Sequence, residues 1–191
     1  MSDQRRQRIV GIISSAPIPV TGTELASQLS VSRQIIVQDM AILRAAGADI
    51  ISTPRGYLIG SQHASRAKFR GTLAVRHTRE QIAQELNALV DVGLRVVDVI
   101  IDHPIYGELR GLLMLESRAD VRSFLSRLAG TEPLSSLTRG IHLHTVEASR
   151  AGAIEEGRDA LRDVGILLEA NDPIDLTSID KTPDDTLGFT K

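Results

Sequence analysis

Residues 23–58, TELASQLSVSRQIIVQDMAILRAAGADIISTPRGYL, constrain the fold more tightly than any other part of this chain. The pattern predicts a short helix, a tight turn, a longer helix closed by Gly47, and then a hairpin. Leu25, Ala26 and Leu29 fall on the inner side of the first helix, and Ser30-Val31 makes the turn. Ser32 is placed to cap the second helix, because its hydroxyl can accept one of the unpaired N–H groups of the first turn. Ile36, Met40 and Leu43 then form one buried stripe at helical spacing. The opposite face presents Arg33, Gln34, Val37, Gln38, Ala41 and Arg44, with no acidic group. An ordinary helical hairpin would bury the same stripe, so the outer face and the flanks must decide between the two. A face of amides, small groups and cations can enter a major groove without repelling phosphate. Its amides can pair with adenine edges, and Val37 can touch thymine methyls.

The flanks favour DNA. Residues 49–52 and 57–59 predict two strands around Thr53-Pro54-Arg55-Gly56, where proline second and glycine fourth suit a type I turn. Such a turn would leave Arg55 exposed at its tip, within reach of phosphate or the minor groove. A basic hairpin beside a reading helix is a wing, and residues 5–59 resemble the winged helix-turn-helix of biotin-operon-repressor type. The resemblance implies DNA binding, and Ser32, Arg33, Gln34, Val37, Gln38 and Arg55 are the contact residues expected from the helix face and the wing. It does not imply a particular operator.

Charge is distributed accordingly. Through residue 70 there are nine basic against four acidic residues, and beyond it thirteen against twenty. A basic lobe on an acidic body suits nucleic-acid binding by the lobe alone. With 42% apolar residues and 24% charged in 191, the chain reads as a globular protein of two small domains. It has no cysteine, which excludes disulfides and thiolate metal sites. No apolar run reaches the ~20 residues of a membrane span. The first residues, MSDQRRQR, lack the apolar core of a signal peptide, so a cytoplasmic location is expected.

Before the helix-turn-helix, residues 3–14 predict a helix with Ile9, Ile12 and Ile13 inward, broken by Ala16-Pro17-Ile18-Pro19. This completes a DNA-binding domain over residues 1–60. Residues 61–70 read as a linker. A second domain, 71–169, then alternates strand and helix. Strands are predicted at 73–76, 95–102, 109–116, 140–147 and 166–168. Helices are predicted at 78–92, with Thr78 and Gln81 as a capping box, at 117–128 with Ser117 as cap, and at 151–164. That order describes an α+β fold, an antiparallel sheet with helices on one face. Residues 170–191 carry five aspartates and two prolines with few large apolar groups, and are expected to be a disordered acidic tail.

Four of the five histidines fall in the second domain. His142 and His144 alternate in a strand and so project from one face, opposite Ile141, Leu143 and Thr145. Two imidazoles on one strand face make a ready pair of metal ligands. The alternative is two partly buried rings paired with carbonyls. His77, at a strand end, and Glu85, on the following helix, can complete a site if the helix packs over the sheet. Three imidazoles and a carboxylate would suit zinc, nickel, iron or cobalt. The second unusual stretch, Asp102-His103-Pro104-Ile105-Tyr106-Gly107-Glu108, joins two strands. It is either a hairpin loop or, with an aromatic beside an imidazole in a chain of 3% aromatics, the edge of a small-ligand pocket.

Together, His77-Thr78, Glu85, His103-Pro104-Ile105-Tyr106-Gly107 and Gly140-Ile141-His142-Leu143-His144-Thr145 resemble the three-histidine domain family. Fused behind this type of winged helix, the domain is similar to that of the niacin-responsive repressors of NAD-biosynthesis and niacin-uptake genes. The resemblance spans about residues 5–169. It implies an open-faced sandwich like that of the phosphocarrier HPr and a homodimer on operator DNA. It further implies a transition metal held by His77, Glu85, His142 and His144, and nicotinic acid as co-repressor. His103 and Tyr106 are the residues we expect to touch the effector. Two other readings are weighed against this one. A winged-helix regulator could sense another small acid, such as an amino acid. A metal-dependent hydrolase would need an open metal position and a spare general base, and no residue has an evident place as that base. A biotin ligase would need a glycine-arginine-rich adenylate loop, which is absent from the sequence.

Overall fold

The computed structural model describes residues 2–60 and 68–169. Most of the expected linker and all of the expected acidic tail lie outside the described residues. The first unit opens with α1 (Ser2–Ser15), which buries Ile9 and Ile13. α2 (Gly22–Gln28) starts one residue before the predicted position. The reason is a reciprocal cap: Glu24 N–H donates to Thr21 Oγ1 at 3.1 Å, and Thr21 N–H donates to the Glu24 carboxylate at 2.7 Å. α3 (Arg33–Ala45) follows, capped by Ser32, whose hydroxyl accepts the Ile35 N–H. Gly47, at φ +89°, closes it.

The stripe of Ile36 and Met40 packs on Ile9, Ile13 and Leu25, and all five are essentially inaccessible to water. Full burial of one such side chain stabilises by roughly 1.5–3 kcal/mol, so five of them outweigh the modest propensities of these short helices. One polar group shares this interior. Asp39 is buried, and it survives there because Arg5 donates to it at 2.6 Å and Arg6 lies within 3.4 Å. The wing is β1 (Ile50–Thr53) and β2 (Gly56–Ile59), joined by Pro54-Arg55. At Gly56, φ is +129° and a Cβ would sit 2.5 Å from the Val20 carbonyl oxygen, so only glycine lets the turn lie on that backbone. Val20 and Tyr57 exchange both backbone hydrogen bonds there, which anchors the wing to the chain before α2.

The second unit runs β3 (Phe69–Arg76), α4 (Ile82–Asp91), β4 (Arg95–His103), β5 (Gly107–Leu115), α5 (Arg118–Leu128), β6 (Ile141–Ala148) and α6 (Ala153–Asp163). The strands lie in the order β3-β6-β4-β5, every pair antiparallel. Leu73, Val75, Val96 and Val146 on one sheet face pack with Leu86, Leu89 and Leu161 of the helices. The other face shows Ile141 and Leu143 to solvent. The fold is α+β, as the element order predicts.

Several boundaries in the second unit differ from the sequence reading. β3 begins at Phe69, inside the expected linker, because Phe69 and Arg70 continue the pairing with Ala148 and Glu147. β5 begins at Gly107, so the hairpin turn holds only residues 104–106. The expected strand at 166–168 is a single bridge between Leu167 and Val75.

Candidate functional site

β6 lies between β3 and β4, so the alternation of Ile141-His142-Leu143-His144 turns both imidazoles into the covered face of the sheet. His142 is in register with Val75 and His144 with Leu73. Above them, α4 buries Ile82, Glu85, Leu86 and Leu89, one helical stripe in which a carboxylate stands among apolar groups. His77 sits just past the end of β3, in the capping segment that leads to α4. The structure therefore brings together all four of His77, Glu85, His142 and His144, each less than a tenth exposed.

The proton positions follow from the outer nitrogens. His77 Nδ1 faces the Thr78 carbonyl at 2.7 Å, His142 Nδ1 the Gly140 carbonyl at 2.9 Å, and His144 Nδ1 the Asp98 carbonyl at 2.5 Å. A carbonyl only accepts, so each Nδ1 carries a hydrogen, and in the neutral ring each Nε2 is a lone pair. All three Nε2 atoms turn to Glu85. His77 Nε2 is 2.8 Å from Oε2, and His144 and His142 Nε2 are 3.1 and 3.4 Å from Oε1. His142 and His144 Nε2 are 3.2 Å apart.

Lone pairs so close repel unless a positive charge lies among them, and Glu85 Oε1 is buried with no donor among the described residues. That orphaned oxygen and the acceptor-only inner shell fit a bound cation. Without one the cluster must hold protons. Burial opposes charge on His77 and His144, but the Glu85 carboxylate offsets it and holds both above the usual histidine range. Burial would raise Glu85, and the surrounding imidazoles instead hold it well below the usual carboxylate range. Three nitrogens and one carboxylate, with no sulfur, fit a transition-metal dication.

Two backbone features hold the rings. The β4–β6 register shifts between Val96 and Ile100, and within that irregularity the Asp98 carbonyl faces His144 Nδ1 while the Asp98 carboxylate accepts the Thr145 N–H. Gly140, at φ +86°, approaches His77 so closely that a Cβ would lie 2.1 Å from the His77 carbonyl oxygen. Its own carbonyl accepts from His142 Nδ1, and the His77 N–H approaches it at 3.4 Å. The sequence signals a strained backbone at Gly140 by the glycine itself. It gives no sign of the role of Asp98.

A cavity of about 260 Å³ adjoins the cluster. His77, Glu85, His142 and His144 share its wall with Val99, Phe124, Leu128 and Leu134, and with Pro54 from the wing. His103 and Tyr106 are not among its lining residues. The short turn puts them at the tip of the β4–β5 hairpin, where Tyr106 is 72% exposed. There His103 Nδ1 accepts the Ile105 and Tyr106 N–H groups, and its ring lies 4.9 Å from the tyrosine ring. The two expected effector-contact residues therefore stand apart from the cavity beside the cluster.

On the DNA-binding unit, Arg33, Gln34, Val37 and Gln38 of α3 are exposed along one face. Ser32 is engaged as the cap. Arg44 is turned aside, donating to the Ile50 carbonyl over the Tyr57 ring. Arg55 is not free at the wing tip as expected. Its guanidinium is 3.2 Å from Asp120 of α5, because the wing lies against the second unit.

A winged reading helix joined to a second domain with a buried histidine-carboxylate cluster defines a DNA-binding regulator. Comparison with known proteins agrees. The HTH domain family matches residues 5–58 and the 3H domain family residues 70–170. The chain is 43% identical over 168 residues to the probable transcription repressor NiaR of Thermotoga maritima, covering 87% of this chain and 94% of that one. It is 36% identical over 175 residues to the transcription repressor NadR of Bacillus subtilis, covering 88% and 96%. The chain belongs to this family of 3H-domain transcription repressors, and it is a regulator rather than an enzyme. Among the described residues no helix is long and apolar enough to cross a membrane.

Proposed function

We propose that this protein is a cytoplasmic repressor of NAD-biosynthesis and niacin-uptake genes, with nicotinic acid as co-repressor and a transition metal held by His77, Glu85, His142 and His144. It acts as a homodimer on an inverted-repeat operator, since one reading helix covers one half-site. The observation that carries this reading is Pro54. A wing residue lines the same cavity as the histidines, so whatever fills the cavity touches the DNA-binding unit directly.

A metal ion bound there supplies a positive charge and a coordination position for a carboxylate or ring nitrogen. The protein supplies the rest. Phe124, Leu128 and Leu134 offer an apolar wall to a flat ring, and the carbonyls of Thr78, Gly140 and Asp98 keep the imidazoles aimed inward. This lining favours a one-ring aromatic acid over an amino acid, whose ammonium group finds no carboxylate there except Glu85 and Glu132. A ligand wedged between the cavity wall and Pro54 fixes the wing against α5 and narrows the range of domain arrangements. Tighter binding of the ligand to the DNA-competent arrangement is then equivalent to tighter binding of DNA in its presence.

The test is operator binding titrated with nicotinate, nicotinamide and a panel of amino acids, with and without chelator. Nicotinate should raise operator affinity about tenfold, a coupling of about 1.4 kcal/mol, and nicotinamide, lacking the carboxylate, less. An amino acid acting where nicotinate does not would transfer the role to that ligand. Co-repression undiminished by metal removal would separate the metal from the effector site.

A further inference from the structure

The face of α5 that meets the wing carries Asp120, Phe124, Arg127 and Leu128, spaced as one helical stripe. Asp120 holds Arg55, and Phe124 and Leu128 line the cavity with Pro54. Arg127 belongs to a second cleft, of about 300 Å³, formed where the wing meets the start of α2 and α3. Across that cleft is Arg33, the first residue of the reading helix, which lies over Gly22 with its Nε 3.7 Å from where a Cβ would be. The remaining walls include Thr23 and Ser52, and among the described residues no carboxylate lines the cleft. Among the described residues neither Arg33 nor Arg127 has an acidic partner, whereas Arg55, Arg110 and Arg118 all do. Two cations facing one cleft repel each other, and an anion between them removes that cost.

We propose that a DNA backbone phosphate occupies this cleft, so that the three-histidine domain contributes a contact of its own, Arg127, beside Arg33 of the reading helix. The cleft opens beside the exposed face of α3, and phosphate contacts of this kind fix the register of a reading helix. The docked wing has its own cation tied to Asp120, and α5 returns a cation to the same neighbourhood. DNA binding and domain docking are therefore one event on this surface. The inference rests on the family's DNA binding and not on the identity of the co-repressor.

The experiment measures binding of the full-length, metal-loaded protein to operator and random duplexes across a series of salt concentrations, with and without nicotinate. Arg127→Ala should weaken both duplexes by the same factor and make the slope of log affinity against log salt less negative by about 0.9 for each bound protomer, or about 1.8 for the homodimer, the signature of one lost phosphate per protomer. Arg127→Lys should keep most of the slope. Arg122→Ala, an exposed arginine of the same helix that does not line the cleft, should leave it unchanged. An Arg127→Ala slope equal to that of the wild type would overturn the proposal, as would an equal change in Arg122→Ala. Thermal stabilisation by inorganic phosphate that depends on Arg127, with the DNA slope unaltered, would make the cleft a free-phosphate site instead. Absence of any nicotinate response, with the slope change intact, would defeat the co-repressor reading and leave this one standing.

Discussion

The two halves of this chain keep their polar chemistry on opposite sides. The DNA-binding unit buries an apolar stripe and turns Arg33, Gln34 and Gln38 outward. The 3H domain turns Ile141 and Leu143 outward and buries three imidazoles and a carboxylate. On the proposed function, the contrast follows from what each recognises. A duplex is larger than the protein and is met by a surface. An ion or a one-ring acid is smaller than a side-chain cluster and must be enclosed. Interior polar groups should therefore govern stability and small-ligand response, and exterior ones DNA affinity alone.

The largest expected effect lies inside. Zinc, nickel or cobalt at one hundred times its dissociation constant should stabilise the wild type by about 2.7 kcal/mol, read as a rise in melting temperature. His142→Ala and His144→Ala should each lose most of that rise, and His103→Ala should keep it. Equal loss in all three would erase the distinction between the cluster and the hairpin tip.

On the outside, Gln34→Ala should cost roughly 1–3 kcal/mol of operator affinity and relax specificity if the amide contacts adenine. Its melting temperature should stay that of the wild type, since a surface change away from any cap or buried group moves stability by no more than about 0.5 kcal/mol. A loss of stability equal to the loss of affinity would show that the face is structural.

Where the halves meet, filling the cavity by Leu134→Trp should abolish the nicotinate-dependent gain of about 1.4 kcal/mol while basal DNA binding persists. Tyr106→Ala should leave that gain intact. A loss confined to Tyr106→Ala would return the effector to the hairpin tip.

The smallest effect is one of sign. In metal-stripped protein His77 and His144 have raised values, so their stabilisation is complete below the ordinary histidine value of 6.5 and is lost as pH rises through the folded values. Glu85 has a lowered value, so its stabilisation is complete above the ordinary carboxylate value of 4.5 and is lost only as pH falls through its folded value. Metal reverses the upper limb, because it competes with protons for the same imidazoles and binds more tightly as pH rises. Melting curves at pH 6 and pH 8, with and without metal, should therefore show the larger metal effect at pH 8. A larger effect at pH 6 would mean that the imidazoles are not the ligands.

Features set by periodicity within one element were legible in the sequence. The stripe of α3, its Ser32 cap and the common face of His142 and His144 each follow from spacing alone. Features that depend on which elements meet were not. Asp39 reads as one more polar residue until α1 is seen to bring Arg5 to it. Arg55 reads as a free wing cation until α5 is seen to bring Asp120. His103 and Tyr106 look like a ligand pair because their chemistry is conspicuous. Extension of both strands shortens their turn, and the histidine lone pair is taken by the turn's own N–H groups. Pro54 carries no chemical signal at all, and only the docking of the wing makes it part of the cavity.

Gly140 has no side chain, yet it holds two of the three histidines. Its carbonyl stands between His142 Nδ1 and the His77 N–H, and any Cβ would collide with the His77 backbone. A saturation library selected for repression should therefore lose every substitution at position 140 as completely as it loses the histidines, alanine included. At an ordinary turn glycine, such as the open and unobstructed Gly130, asparagine and aspartate should survive the same selection.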